Sequence, residues 1–390
     1  MHKIDIDTVE MTLDVMKYAI NRITNEAPDS ASSIHGAYWM EGAGGIYCEN
    51  RAMEWLVALT GMPGGAFGVF TSGGTAANLS AMVTAREVFR KQEHAKGKKG
   101  LILTSSGAHS SIKAMAKVID VDVLLVETED QMTGPMLQTA IDHLQPGQRE
   151  RLFAVVATGG TTNAGIIDDL RGVAAVCKKE GLWFHVDAAY GGAALVVDSV
   201  RPQFQGIEQA DSVTIDPHKW LFSPYDCGAV IYRDPDLARE AHQQEGSYLD
   251  IFRDEGARGF NPADYQIQLT RRLRGLPLWF SLATHGTDKY KWAVERGITL
   301  ANKSGELIRK EAHLELVRDP SLSCVLFRRK GWTPEDYTCW TYKNHKEGIA
   351  LVAPTKWHTP GGSETVLRFC FINPDTTEAD IQIILDTLRD

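Results

Sequence analysis

The chain has 390 residues, 43% of them hydrophobic, and a formal net charge of −9. That length and composition allow a large buried core and two or more domains, and the acidic balance argues against a nucleic-acid or membrane-surface partner. There is no basic tract, no zinc-ligand spacing and no run of about 18 apolar residues, which excludes zinc-finger and helical membrane-spanning classes.

The six cysteines, Cys48, Cys177, Cys227, Cys324, Cys339 and Cys370, form no C-x-x-C pair. Free thiols, together with a start (MHKIDIDTVEM) that lacks an apolar signal core, predict a cytoplasmic protein with no membrane span.

In chain order, residues 8–24 come first as an amphipathic helix: Val9, Leu13, Met16, Ile20 and Ile23 recur at alternating intervals of four and three. Its apolar stripe packs either on its own subunit or on a partner. A polar linker runs to residue 33. From about residue 65, short apolar or β-branched runs at 101–104, 121–126, 152–157, 183–186, 213–215 and 229–232 alternate with helical stretches such as 76–91 and 170–180. This alternation predicts a mainly parallel sheet covered on both faces. The last run is expected to turn the other way, because only a short loop precedes it. Near residue 285 the pattern changes to a long helix over 286–311, apolar runs at 314–317 and 324–328, a helix near 333–347, and strands near 350–353 and 366–371. A closing helix starts at Thr377, with Asp380 placed for a capping box. The expected division is an N-terminal helix and linker (1–34), a large α/β domain (35–285) and a small C-terminal α+β domain (286–390).

Thr71-Ser72-Gly73-Gly74-Thr75 stands between the apolar Gly68-Val69-Phe70 and the helix that begins near Ala76. Small residues admit a ligand close to the backbone. A helix N-terminus adds free N–H groups and a positive dipole end, so the turn is a candidate phosphate cradle. It matches neither a P-loop nor a dinucleotide fingerprint.

Four further segments deliver polar side chains to the carboxyl ends of expected strands. His109 follows 101–104, Thr161 and Thr162 follow 152–157, Asp187 follows 183–186, and His218 and Lys219 follow 213–215. Open α/β sheets bind ligands at that edge. Singly, each residue reads as a helix cap or a satisfied buried group; the convergence is what points to chemistry. A lysine forms an imine with an aldehyde, an aspartate keeps a pyridine nitrogen protonated, an imidazole stacks on a ring, and hydroxyls bind phosphate or a phenolic oxygen. Pyridoxal 5'-phosphate (PLP) needs all of these groups. A metal site on His109, His185 and His218 has no supporting ligand spacing and leaves Lys219 without a role.

His109-Ser110-Ser111, Asp187-Ala188-Ala189-Tyr190-Gly191-Gly192 and Asp216-Pro217-His218-Lys219-Trp220 closely resemble the group II PLP-dependent amino-acid decarboxylases. That family includes the aromatic-L-amino-acid, tyrosine, histidine, glutamate and diaminobutyrate decarboxylases. The resemblance runs from about Tyr38 to the C-terminus. It implies the fold type I (aspartate-aminotransferase-like) α/β architecture and a homodimer with its active sites at the interface. It implies further that Lys219 binds PLP as a Schiff base and that Asp187 partners the pyridine nitrogen. His109 stacks on the ring and Ala189 lies against its other face. Gly74, Thr75 and His218 lie near the phosphate. Thr161, or its neighbour Thr162, meets the phenolic oxygen or the substrate carboxylate.

In aromatic members of the family, a tyrosine 29 residues after the lysine protonates the α-carbon; here that position is Tyr248. The alternative role for Tyr248 is packing under a loop. Residues 253–261, with Gly256, Ala257 and Gly259 among mixed charges, fit a mobile lid. Trp39 lines either the substrate pocket or an interface core. Arg368 meets either a substrate carboxylate or a structural ion-pair partner.

The reaction implied is decarboxylation of an L-amino acid to the amine and carbon dioxide. Aldehyde synthesis, or another reaction at the α-carbon, is the alternative; relatives that make aldehydes often carry phenylalanine at the position of Tyr248. Lys219, Asp187, His109 and Tyr248 together argue against a non-catalytic homologue. The chain departs from the family ahead of Tyr38-Trp39-Met40-Glu41. Relatives carry there a longer segment that supplies dimer contacts and part of the substrate pocket.

Overall fold

The computed structural model describes residues 34–128, 130–244, 246, 249, 259–359 and 362–389. The helix expected over 8–24, Tyr248 and positions 253–258 of the expected lid lie outside them. In chain order the α-helices and strands begin with α1 (Trp39–Thr60), β1 (Phe67–Thr71), α2 (Gly74–Arg90), β2 (Leu101–Ser105), α3 (Ser110–Val118), β3 (Asp122–Val126), α4 (Gly134–Asp142), α5 (Pro146–Arg149) and β4 (Leu152–Thr158). There follow α6 (Leu170–Glu180), β5 (Trp183–Asp187), β6 (Ser212–Ile215), α7 (Pro217–Trp220), β7 (Gly228–Tyr232), α8 (Pro235–His242) and α9 (Leu276–Lys310). The last are β8 (Leu314–Leu316), β9 (Cys324–Arg329), α10 (Pro334–Lys346), β10 (Pro354–Thr359), β11 (Gly362–Cys370) and α11 (Glu378–Asp386).

Parallel strands covered on both faces read as continuous apolar runs. β2, β4 and β7 are largely such runs, β5 and β6 add the polar His185, Asp187, Ser212 and Thr214, and every residue in the five strands is buried. Seven strands form one sheet in the order β1-β7-β6-β5-β4-β2-β3. β6, β5, β4, β2 and β3 are mutually parallel, and β7 runs against both its neighbours, as its short preceding loop requires. Side chains alternate between the two faces with the strand period of two. Leu101, Leu103, Val155 and Ala157 pack with α1, α4 and α6 on one face. Ile102, Ala154, Val156 and Val230 pack with α2, α3 and α8 on the other. β4 lies beside β2 and not β3, so the progression of strands reverses there. The carboxyl ends of β1, β2, β4, β5 and β6 all open on one edge.

A second, antiparallel sheet, β10-β11-β9-β8, is covered by α9, α10 and α11. The closing helix α11 carries the expected capping box: Thr377 N–H donates to Asp380 Oδ2 at 2.8 Å and Asp380 N–H to Thr377 Oγ1 at 3.2 Å. The long helix expected over 286–311 follows Gly286, whose φ of +72° and ψ of 163° break α9 there, and a shorter helical piece from Leu276 precedes it. One expectation is corrected. The apolar run at 350–353 is a connection, and the strand follows it. Val352 drops into the core and its carbonyl accepts from Thr341 Oγ1 at 2.8 Å. Pairing with β11 begins only at Pro354, on an edge strand where proline is tolerated.

A buried ion pair fixes α1 against the segment that leads into α9. Arg271 Nη2 lies 2.7 Å from Glu49 Oε1, which also accepts from Gly275 N–H at 2.8 Å. Arg271 further donates to the carbonyls of Gly36 and Phe70.

Candidate active site

The carboxyl edge of the large sheet encloses a cavity of about 570 Å³. Ser72, Gly73, Gly74 and Thr75 from the β1–α2 turn form one wall, with Asn78 one turn further along α2. His109 and Ser111 enter from the start of α3, Thr158 ends β4, Asp187 ends β5 with Ala189 just beyond, and Asp216, His218 and Lys219 follow β6. Parallel strands place these residues together because each one ends at the same sheet edge.

The glycine wall has a steric cause. Gly73 holds φ +139°, which L side chains rarely adopt, and a Cβ on Gly74 would lie 2.8 Å from Asp216 Oδ2 and 3.1 Å from Ala189 Cβ. The first helical bond of α2 runs from Ala77 N–H to Gly73 O, so the amides of Gly74, Thr75 and Ala76 precede the ladder at the cavity wall. A 17-residue helix with its N-terminus there presents a site for a phosphate dianion.

Lys219 Nζ lies 2.9 Å from Asp216 Oδ2, and its side chain is 35% exposed, so the amine is open to the cavity. Burial pushes the Asp216 carboxyl upward, and Lys219 is the main opposing influence. His218 Nδ1 accepts from Cys227 N–H at 3.0 Å, its ring stacks on Tyr225, and burial lowers its pKa. Asp187 is buried; Oδ1 accepts from Ala189 N–H at 3.1 Å and Oδ2 from Asn78 Nδ2 at 2.9 Å. His109 caps α3 through Nδ1, which accepts from Ser111 N–H at 3.2 Å and lies 2.8 Å from Ser111 Oγ. Two buried atoms of lining residues, Asp216 Oδ1 and Thr158 Oγ1, have no hydrogen-bond partner among the described residues.

Of the expected residues, Gly74, Thr75, His109, Asp187, Ala189, His218 and Lys219 therefore share one cavity. Thr161 does not face it. Its Oγ1 accepts from Ile166 N–H at 3.1 Å within its own turn, and Thr162 takes the place on the wall. Trp39 packs beside Ile46, Leu273 and Leu276, away from the lining. Arg368 forms no ion pair among the described residues; it donates to the carbonyl of Thr162. Asp216 and Asn78 received no role from the sequence. Asp216 had a signal, since it opens the same strand-end motif as Lys219. Asn78 had none, because one asparagine in a helix is unremarkable until the fold places it under Asp187.

A nucleophilic amine, a carboxylate, an imidazole and an anion-binding helix end on one cavity suit a planar aldehyde carrying a phosphate. Comparison with known proteins agrees. Residues 30–330 match the family model described as pyridoxal-dependent decarboxylase conserved domain. The aromatic-L-amino-acid decarboxylase of Bacillus atrophaeus is 30% identical over 376 residues, covering 91% of this chain and 75% of the relative. The L-2,4-diaminobutyrate decarboxylase of Acinetobacter baumannii is 31% identical over 349 residues, covering 84% of this chain and 66% of the relative. The crystal structure of Oryza sativa TDC with PLP and tryptamine superposes with a TM-score of 0.84 at 25% identity, covering 94% of this chain and 80% of that one.

Proposed function

The chain belongs to the pyridoxal-dependent decarboxylase family, and from that premise we propose which of its residues carry the reaction. It is a PLP-dependent carboxy-lyase acting on an amino acid. The observation that carries the assignment of residues is the meeting of Lys219, Asp187, His109 and the N-terminus of α2 on one cavity. The cavity also fits the cofactor: Gly73 and Gly74 leave a cradle that any Cβ would fill.

When bound, PLP supplies an aldehyde that takes up an amine and a ring that accepts the electron pair left as carbon dioxide departs. The amides of Gly74, Thr75 and Ala76 hold the phosphate, with the Ser72 and Thr75 hydroxyls beside them. His218 backs this end of the site. Lys219 offers the amine that would hold the cofactor aldehyde. The Asp187 carboxylate pairs with the pyridine nitrogen and keeps its proton in place. His109 and Ala189, both on the lining, would pack against the ring. Thr162, on the cavity wall with the Arg368 guanidinium bonded to its carbonyl behind it, is assigned to the substrate carboxylate.

Proton delivery to the α-carbon is assigned to Tyr248, from its spacing to Lys219. A homodimer with shared active sites is part of the same reading; Met40, Tyr47 and Trp292 are large apolar side chains left exposed on this one chain. A division into large and small domains at 285/286 is supported by the Gly286 break in α9. No helix among the described residues is long and apolar enough to cross a membrane. The six cysteines are unpaired, which supports a cytoplasmic location. The test of the activity is an amine-release screen of the twenty amino acids with PLP-loaded protein. An amine with equimolar carbon dioxide, and no ammonia or peroxide, is the expected product; ammonia and peroxide would instead assign aldehyde synthesis.

A further inference from the structure

Beneath the cavity a buried hydrogen-bond chain ends on Asp187. Trp183 Nε1–H donates to Ser212 Oγ at 2.9 Å, and Ser212 Oγ lies 2.8 Å from His185 Nδ1. His185 Nε2 lies 2.9 Å from Asn78 Oδ1, and Asn78 Nδ2 donates to Asp187 Oδ2 at 2.9 Å. Trp183, Ser212, His185 and Asn78 are all buried, His185 and Ser212 completely.

The direction of this chain is set from the Asp187 end. A carboxylate can only accept, so Asn78 turns its amide nitrogen to Asp187 and its Oδ1 to His185 Nε2. An amide oxygen can only accept, so Nε2 carries a proton. Complete burial pushes the His185 pKa down to about 4, so the ring is neutral and Nδ1 is an acceptor. Ser212 Oγ then donates to Nδ1 while it accepts from the Trp183 indole. Reversal of the chain would set the amide oxygen against the carboxylate, acceptor against acceptor. The same amide nitrogen also reaches Ser111 Oγ at 3.5 Å, and Ser111 holds His109 Nδ1. One carboxamide thus stands behind both Asp187 and, through Ser111, His109.

We propose that Asn78 and His185 are positioning residues of the decarboxylase: His185, held as its Nε2–H tautomer between Ser212 and Asn78, orients the Asn78 carboxamide, which holds the Asp187 carboxylate against the pyridine nitrogen and steadies Ser111 behind His109. The proposal rests on the reading of Asp187 as the partner of that nitrogen. A residue that only filled space at position 78 or 185 would leave the protonation of the cofactor unaltered. A residue that orients Asp187 would not.

Two measurements test it. Neutron diffraction from the deuterated, PLP-loaded protein needs no variant. It is expected to show deuterium on His185 Nε2, none on His185 Nδ1, and the Asn78 ND₂ group facing Asp187. Deuterium on Nδ1, or an amide turned the other way, overturns the proposal. The second is the pyridine ¹⁵N chemical shift of enzyme loaded with ¹⁵N-labelled PLP, for wild type, Asn78→Leu and Asp187→Asn, each checked for folding by its melting temperature. Both variants are expected to move the signal from the protonated toward the unprotonated pyridine range. A signal that moves in Asp187→Asn and stays in Asn78→Leu overturns the proposal alone. A signal that stays in both overturns the reading of Asp187, and the proposal with it.

Discussion

Lys219 Nζ rests 2.9 Å from Asp216 Oδ2, three residues earlier on the turn that leaves β6. The contact aims the amine along the cavity wall, where Gly74 leaves room beside the same carboxylate. An amine held in that position and open to solvent is the nucleophile a bound aldehyde would meet. PLP-loaded protein is therefore expected to be yellow, and borohydride is expected to fix the cofactor on the peptide containing Lys219. Lys219→Ala should give no fixed adduct. Peptide mapping that finds the label on another lysine removes this assignment.

Asp187→Asn is expected to retain PLP and lose most turnover. The amide can occupy the same space, but it lacks the charge that keeps the ring nitrogen protonated. It also has only one oxygen where Asp187 accepts two N–H bonds, from Asn78 and Ala189. The barrier should rise by several kcal/mol, and each ~1.4 kcal/mol costs about tenfold in rate. The comparison is single-turnover rate against PLP affinity, and a variant within about threefold of wild type in rate would end the proposed role.

The buried His185 sets a pH dependence of stability. Its folded pKa is lowered from 6.5 to about 4, chiefly by burial. Between those values the unfolded chain binds a proton that the folded one does not, so stability is full above the unfolded pKa and falls as the pH falls toward 4. At about 1.36 kcal/mol per pKa unit, the loss from pH 7 to pH 5 is about 2 kcal/mol. His218 and His242 are lowered as well and act with the same sign. The His185 share is isolated by His185→Gln, whose urea-unfolding free energy should lose less between pH 7 and pH 5 than wild type. Equal losses in both proteins would contradict this account.

Glu49→Ala is expected to destabilise the fold by about 3–5 kcal/mol, the cost of leaving a buried charge without its partner. Arg271 would retain only carbonyl acceptors at Gly36 and Phe70, and Gly275 N–H would lose its acceptor. Denaturant unfolding measures the loss. A change below about 1 kcal/mol would place the pair among weak, solvent-screened contacts.

Much of this arrangement could be read from the residues alone, for identifiable reasons. α6 was expected over 170–180 and spans Leu170–Glu180, because Asp169 caps its start and Gly181 ends it in the left-handed region. The sheet strands are legible because most of their residues are apolar or β-branched, as burial on both faces requires. β10 is not, because Pro354-Thr355-Lys356-Trp357 gains its strand character only by pairing with β11. Thr161 and Thr162 are chemically alike, and the main-chain turn that closes from Gly165 N–H onto Thr161 O decides which one faces the cavity. Lys219 and Asp187 stood out through the strand-end pattern, whereas Asn78 acquires its place only when α2 is laid over the end of β5.

The remaining prediction concerns Tyr248, which lies outside the described residues and is assigned from its spacing of 29 after Lys219. The next residue, Leu249, is buried with Ala37, Tyr38 and Ala263. Once carbon dioxide has left, the α-carbon must receive a proton to yield the amine. If delivery is slow, oxygen has time to react at that carbon. A phenol brought in by a closing segment supplies the proton while water and oxygen are shut out. Tyr248→Phe removes only the hydroxyl, so PLP binding should persist. The variant is expected to consume substrate and form less amine, with aldehyde, ammonia and peroxide appearing instead. The measurement is the amine-to-aldehyde ratio under air, for both proteins on the substrate found in the amine screen. An unchanged ratio at unchanged amine output would make Tyr248 a packing residue and shift the donor role to His109 or a bound water.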